Sequence, residues 1–125
     1  MTDNFIFPTI PTAEYATAER CHITEILNLP SVPEASLAQA RVEPGVCTAN
    51  HLLKGTSEWY YILSGNGDMY IDNQLAGSVS PGDVVRIPAD TPQYICNTGQ
   101  SDLIFLCYCT PPFSPEDYVD MGGTE

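Results

Sequence analysis

The stretch "GVCTANHLLKGTSEWYYILSG", residues 45–65, decides how this chain is read. Successive side chains of an extended segment point to opposite sides. Glu58, Tyr60 and Ile62 therefore share one face, and Trp59, Tyr61 and Leu63 share the other. By the same period Cys47, Ala49, His51 and Leu53 lie together. If the two segments pair across the intervening "KGTS", His51 and Glu58 can both point inward. A carboxylate at mid-strand inside a folded domain is costly unless a cation or hydrogen bond compensates it. The pair therefore marks a candidate site.

Outward from this stretch the pattern repeats. "CHITEIL", "SLAQARV", "DMYID", "SVS", "DVVRIP", "QYICN" and "DLIFLCYC" are short runs rich in β-branched and aromatic residues. Turn signals such as "VEPG", "SGNGD", "SPGD" and "PADTP" separate them. Short strands at regular spacing, with no helical period between them, predict an all-β sandwich or barrel. "SGNGD" reads as a hairpin turn. Residues 1–37 are expected to form an N-terminal extension and edge strands, residues 38–112 the barrel core, and residues 113–125 a tail packed on it through Phe113 and Tyr118.

Composition narrows the function classes. The chain has 125 residues and hydrophobic content of 43%, enough for one domain with a buried core. Sixteen Asp and Glu against four Lys and Arg give a net charge of −12. Such an acidic chain is a poor match for nucleic acid or for anionic membrane surfaces, since little of it can neutralise phosphates. No apolar run approaches the ~20 residues of a membrane span, and the N-terminus shows no signal-peptide pattern. Five cysteines, an odd number without such a signal, are expected to be free thiols in a cytoplasmic protein. Cys107 and Cys109 fall on one strand face and read as small core residues. His22 reads as a surface or interface histidine.

The residues resemble the cupins, whose two-part signature is G-x5-H-x-H-x3,4-E-x6-G and then G-x5-P-x-G-x2-H-x3-N. Gly45, His51, Leu53, Glu58 and Gly65 stand at the first set of spacings, and Gly82, Pro88, Asp90, Gln93 and Asn97 at the second. The resemblance implies a small double-stranded β-helix, or jelly-roll barrel, commonly a homodimer. It also implies a divalent metal held by the histidine and glutamate positions. Here Leu53 and Gln93 replace two histidines, so the metal-ligand expectation becomes His51, Glu58 and Gln93.

Two functions stay open at this level. One is a barrel with a weak divalent ion (zinc, nickel, manganese or iron) that binds or converts a small organic molecule by isomerase, lyase or dioxygenase-type chemistry. His51 and Glu58 would hold the ion, Gln93 would complete or orient it, and Tyr60 would move a proton. The other is a metal-free module that binds or senses a small molecule, favoured by the apolar Leu53. Cys47, Ala49, Leu53 and Ile62 are expected to line the pocket. Tyr94 and Trp59 are expected to serve packing.

Overall fold

Turn residues send the chain from one sheet to the other. In the computed structural model, which describes residues 5–8 and 14–122, the strands are β1 (Tyr15–Ala16), β2 (His22–Leu27), β3 (Ser36–Val42), β4 (His51–Leu53), β5 (Ser57–Ser64) and β6 (Gly67–Ile71), followed by β7 (Gln74–Val79), β8 (Val84–Ile87), β9 (Gln93–Asn97), β10 (Leu103–Thr110) and β11 (Tyr118–Asp120). One sheet has the order β1-β2-β3-β10-β5-β8 and the other β11-β4-β9-β6-β7. Every pairing is antiparallel. A single 3₁₀ turn, Pro115–Asp117, is the only helical element among the described residues. This is the jelly-roll barrel that the family resemblance implies.

From β3 to β6 consecutive strands alternate between the sheets, and this corrects two expectations. The segments carrying His51 and Glu58 do not pair across "KGTS"; β4 joins β9 and β11, whereas β5 joins β10 and β8. "SGNGD" is likewise a crossing from β5 to β6 and not a hairpin. Gly65 has φ +88°, and a Cβ there would come within 2.5 Å of the Asp102 carbonyl oxygen. The corner therefore needs glycine for conformation and for space. Asp90, at the signature's fourth glycine, takes φ 63° in the same left-handed region. Its carboxylate accepts a hydrogen bond from the Gly55 amide at 3.0 Å, tying two sheet-crossing turns together. Asn97, the last residue of the signature, donates to the Val42 and Ser101 carbonyls and accepts from Gly99, so its role is to fix a loop.

Alternation then sets the interior. Val42, Ile62, Met69, Ile87, Ile95, Leu103 and Phe105 are nearly fully buried and form the main cluster between the sheets. Burying side chains of this size stabilises by roughly 1.5–3 kcal/mol each. Tyr94 faces away from them and stacks on Tyr70 at 4.5 Å.

Two short strands extend the sheets beyond the expected set. Tyr15–Ala16 pairs with β2 as an edge, and Tyr118–Asp120 pairs with β4. The remainder of the first thirteen residues and the last three lie outside the described residues, apart from residues 5–8.

The free-thiol expectation fails at one pair. Cys47 and Cys96 are joined by a disulfide across an isolated bridge, 49 residues apart in sequence. The flanking bonds, Thr48 N–H to the Ile95 carbonyl and Asn97 N–H to the Val46 carbonyl, make this a non-hydrogen-bonded pair, the site where facing side chains approach most closely. The argument from cysteines to a reducing compartment therefore loses this pair. Cys21, Cys107 and Cys109 are free.

Candidate functional site

A cavity of about 120 Å³ lies at one end of the barrel. Its floor follows from residue size along paired rows of the six-stranded sheet. Ser36, Cys109 and Glu58 stand side by side on β3, β10 and β5, and Ala38, Cys107 and Tyr60 form the next row. The serine, alanine and cysteines are small, so inward-facing positions leave space. Where the following row places Ala40, Phe105 and Ile62 together, the larger side chains close it.

Glu58 and Tyr60 reach the cavity from β5, and His51 and Leu53 from β4 of the opposite sheet. The expected inward direction of Glu58, Tyr60 and Ile62 holds, with all three buried. Ile62, Cys47 and Ala49 do not line the cavity among the described residues. Ile62 belongs to the packed core. Cys47 is held against Cys96, and only the three residues of β4 keep a regular strand direction.

Gln93 sits behind the cavity rather than in its lining and is 1% exposed. Its Nε2 donates to Glu58 Oε1 at 2.8 Å, and its Oε1 accepts from the Tyr60 hydroxyl at 2.6 Å. One amide thus fixes two cavity side chains. In the β4–β9 ladder Gln93 stands directly opposite His51. His51 is placed by its own strand: Nδ1 lies 2.9 Å from the Ala49 carbonyl, and the ring stacks on Tyr118 at 4.8 Å. A carbonyl only accepts, so Nδ1 carries a proton and Nε2 holds the lone pair of the neutral ring.

Burial governs the acids around this floor. Desolvation raises the pKa of Glu58, against the opposing effects of His51 and the Gln93 hydrogen bond. Tyr60 is pushed well above its usual value by burial and then by the Glu58 charge. Burial likewise drives Cys107 and Cys109 upward, with Glu58 adding to both, and it drives Cys21 up to about 12. These thiols stay protonated and are poor nucleophiles.

The donor set does not fit a resident divalent metal. The one Gln93 atom able to ligate, its carbonyl oxygen, already accepts from Tyr60. Leu53 offers nothing, which leaves His51 Nε2 and the Glu58 carboxylate. Among the described residues no group of three or more His, Cys, Asp and Glu side chains is placed to hold a metal ion.

The N-terminal segment supplies a wall that the sequence did not reveal. Glu19, Cys21 and Ile23 line the cavity together with Phe113 from the tail, and Tyr15, Glu25 and Asn28 stand at its exposed rim. The Ala49 amide donates to the Glu19 carbonyl at 2.9 Å, anchoring this segment to the stretch before β4. The only signal in the sequence was the polar–apolar alternation of "ERCHITEIL", which does not say what the segment covers. His22 lies apart from the cavity, with Nε2 2.9 Å from Glu43 Oε2.

Comparison with known proteins agrees with this architecture. "Uncharacterized protein MJ1618" of Methanocaldococcus jannaschii is 40% identical over 105 residues, covering 82% of this chain and 83% of that protein. The Streptomyces nucleoside dehydratase Pac13 superposes with a TM-score of 0.76 at 17% identity, covering 90% of this chain and 87% of that one. KdgF from Halomonas gives 0.71 at 12% identity, covering 84% of this chain and 90% of that one. A predicted oxalate decarboxylase from Thermotoga maritima gives 0.71 at 24%, covering 79% and 90%. At such identities these likenesses concern the fold. The Cupin domain family matches residues 38–109, the span that carries β4 to β10 and both halves of the signature, and the chain belongs to the cupin family.

Proposed function

We propose that this cupin binds a small organic molecule in its barrel cavity and acts on it by proton transfer, with Glu58 as acid and His51 Nε2 as base. The observation that carries this reading is the Gln93 amide that holds Glu58 and Tyr60 at the cavity floor. Burial favours the protonated form of Glu58, and with Nδ1 of His51 tied to the Ala49 carbonyl, Nε2 is the ring atom placed to receive a proton. An acid and a base at one cavity suit isomerisation or elimination of water: the base removes a C–H proton, and the acid protonates the departing hydroxyl, which leaves as water. The fold likeness to a nucleoside dehydratase is in keeping with that class. Gln93 serves as a positioning residue. The Tyr60 proton is committed to Gln93 and its pKa is elevated, so its oxygen is better suited to accept a hydrogen bond from the ligand than to move a proton.

Solvent exchange tests this. α-Hydroxy aldehydes and ketones incubated in D₂O are expected to take up deuterium with the wild-type protein and not with His51→Gln or Glu58→Gln, and EDTA is expected to leave exchange unchanged. Uptake that persists in both variants would overturn the assignment.

A weakly held divalent ion on His51 and Glu58 is the second reading; Gln93 would join it only by giving up the Tyr60 hydrogen bond at its carbonyl oxygen. Stoichiometric metal in protein purified without added ions, and its loss in His51→Ala, would establish that reading. In that case Leu53→His with Gln93→His should tighten metal binding.

The homodimer is also carried as a proposal. On the outward face of the six-stranded sheet, Leu106, Tyr61 and Val84 stand in one row beside Tyr108 and Trp59, and Tyr61, Val84 and Tyr108 are exposed. Tyr61→Lys should halve the mass seen in light scattering if that face joins two copies.

A further inference from the structure

The charge of the cavity wall has no counterpart in the reading above. All four lysine and arginine residues of the chain are Arg20, Arg41, Lys54 and Arg86, and none of them lines the cavity. Arg41 is engaged by Glu14 and Asp102 on the outward side of its sheet. Arg86 lies on β8 between the two inward residues Val85 and Ile87. The Arg20 Nε–H donates to the Cys47 carbonyl. Against this, three carboxyl groups line the cavity at three depths. Glu58 is at the buried floor, Glu19 is half-buried in the wall, and Glu25 is at the exposed rim.

Burial first, and the Glu19 charge next, raise the pKa of Cys21 and Tyr118. At Glu58, Tyr60, Cys107 and Cys109 burial again leads, and Glu19 adds a lesser upward effect. Its side chain accepts a hydrogen bond from the Cys21 thiol at 3.6 Å, a weak donor. Thr17, Asn28, Ser36, Thr48 and His51 add neutral polar atoms and one imidazole, and the remainder of the wall is apolar or aromatic, with Phe105, Phe113 and Tyr60 inside and Tyr15 at the mouth. Aromatic faces attract cations and have no such attraction for anions. An anionic ligand would meet a low-dielectric cavity lined by carboxyl groups in a protein of net charge −12.

We propose that the cavity selects a small organic cation, an ammonium-bearing molecule whose charge rests against Glu19 and Glu25 while its uncharged part reaches the Glu58–His51 floor. This inference rests on the cavity being the ligand site. The cavity, about 120 Å³ with an open mouth, is smaller than the engineered apolar cavity of ~150 Å³ that holds benzene, so a benzyl-sized ligand extends through the mouth toward Glu25. The division of labour follows depth. The rim and wall carboxylates recognise charge, and the buried one, kept protonated more readily, remains for chemistry.

Three probes of nearly equal shape test it: benzylamine, benzyl alcohol and benzoate, titrated into the protein at neutral pH and followed by calorimetry and by NMR shifts of cavity residues. Benzylammonium is expected to bind about tenfold or more tightly than the alcohol, with benzoate weakest. In the Glu19→Gln/Glu25→Gln double variant the ammonium should fall to the level of the alcohol, whose own binding is retained. Should the double variant not fold, Glu25→Gln alone, at the exposed rim, should weaken the ammonium about two- to threefold and leave the alcohol unchanged. Equal binding of alcohol, acid and amine would overturn the charge inference while leaving the cavity as a ligand site. A preference for the amine that survives both variants would overturn the role of Glu19 and Glu25. No shift of cavity residues by any probe at ~10 mM would overturn both the inference and the reading beneath it.

Discussion

The two ends of the barrel are built by one rule and come out opposite. At the closed end the rows of β10 and β5 carry Phe105 and Ile62, with Leu103, Met69 and Ile95 filling the space between the sheets. At the open end the same inward period places Cys107 and Cys109 beside Tyr60 and Glu58, flanked by Ala38 and Ser36. Alternation decides which side chains face in, and volume decides whether they meet. Where they do not, the polar groups that remain must be satisfied by one another, which the Gln93 amide accomplishes.

Breaking the closed end should have the largest effect. Leu103 is fully buried, and Leu103→Ala should cost about 2–5 kcal/mol of unfolding free energy because the cavity left behind cannot collapse. Urea denaturation measures it, and a loss below ~1 kcal/mol would mean that this end is not close-packed. Next comes the polar hinge of the open end. Gln93→Leu keeps the bulk but strands Glu58 and Tyr60, and each unsatisfied buried group costs about 1–3 kcal/mol. Gln93→Glu, measured beside it, should be less destabilised, since an acid that shares a proton with Glu58 restores part of the bridge; equal losses would mean that the hydrogen bonds do not carry the effect.

Filling the open end inverts the expectation for the closed one. Ala38→Leu adds volume where there is space, so stability should change by less than about 1.5 kcal/mol while binding of the benzyl probes is lost. A large destabilisation with binding intact would show that Ala38 faces packed core.

The smallest effect concerns pH. Burial raises the Glu58 pKa in the folded protein above its unfolded value, so the folded state holds that proton more firmly. The stabilisation is full below the ordinary carboxylate range and is lost as pH rises through the elevated folded value. Glu58→Gln removes this titration. The fall in melting temperature of the wild type from acidic toward neutral pH should therefore be shallower in the variant, and parallel curves would show that Glu58 is not the group responsible.

Much of this comparison was legible before any coordinates. Local period put Glu58, Tyr60 and Ile62 on one face, the family spacing made that face the inner one, and Gly65 marked a turn. Local period could not say that β4 and β5 belong to different sheets, because a turn such as "KGTS" serves a hairpin and a crossing equally well. Nor could it pair Cys47 with Cys96, whose approach depends on a narrow pair formed 49 residues apart.

The amino-acid sequence by itself determined the strand class, the family spacing and the residues His51, Glu58 and Gln93 that stand at its site positions, since these depend on side-chain period and on residue type. The tertiary structure alone decided that Gln93 stands behind Glu58 and Tyr60, that the N-terminal segment brings Glu19 to the wall, and that no lysine or arginine lines it. Those facts depend on which distant strands and loops become neighbours, and adjacency across sheets is fixed by packing the whole barrel rather than by any short stretch of it.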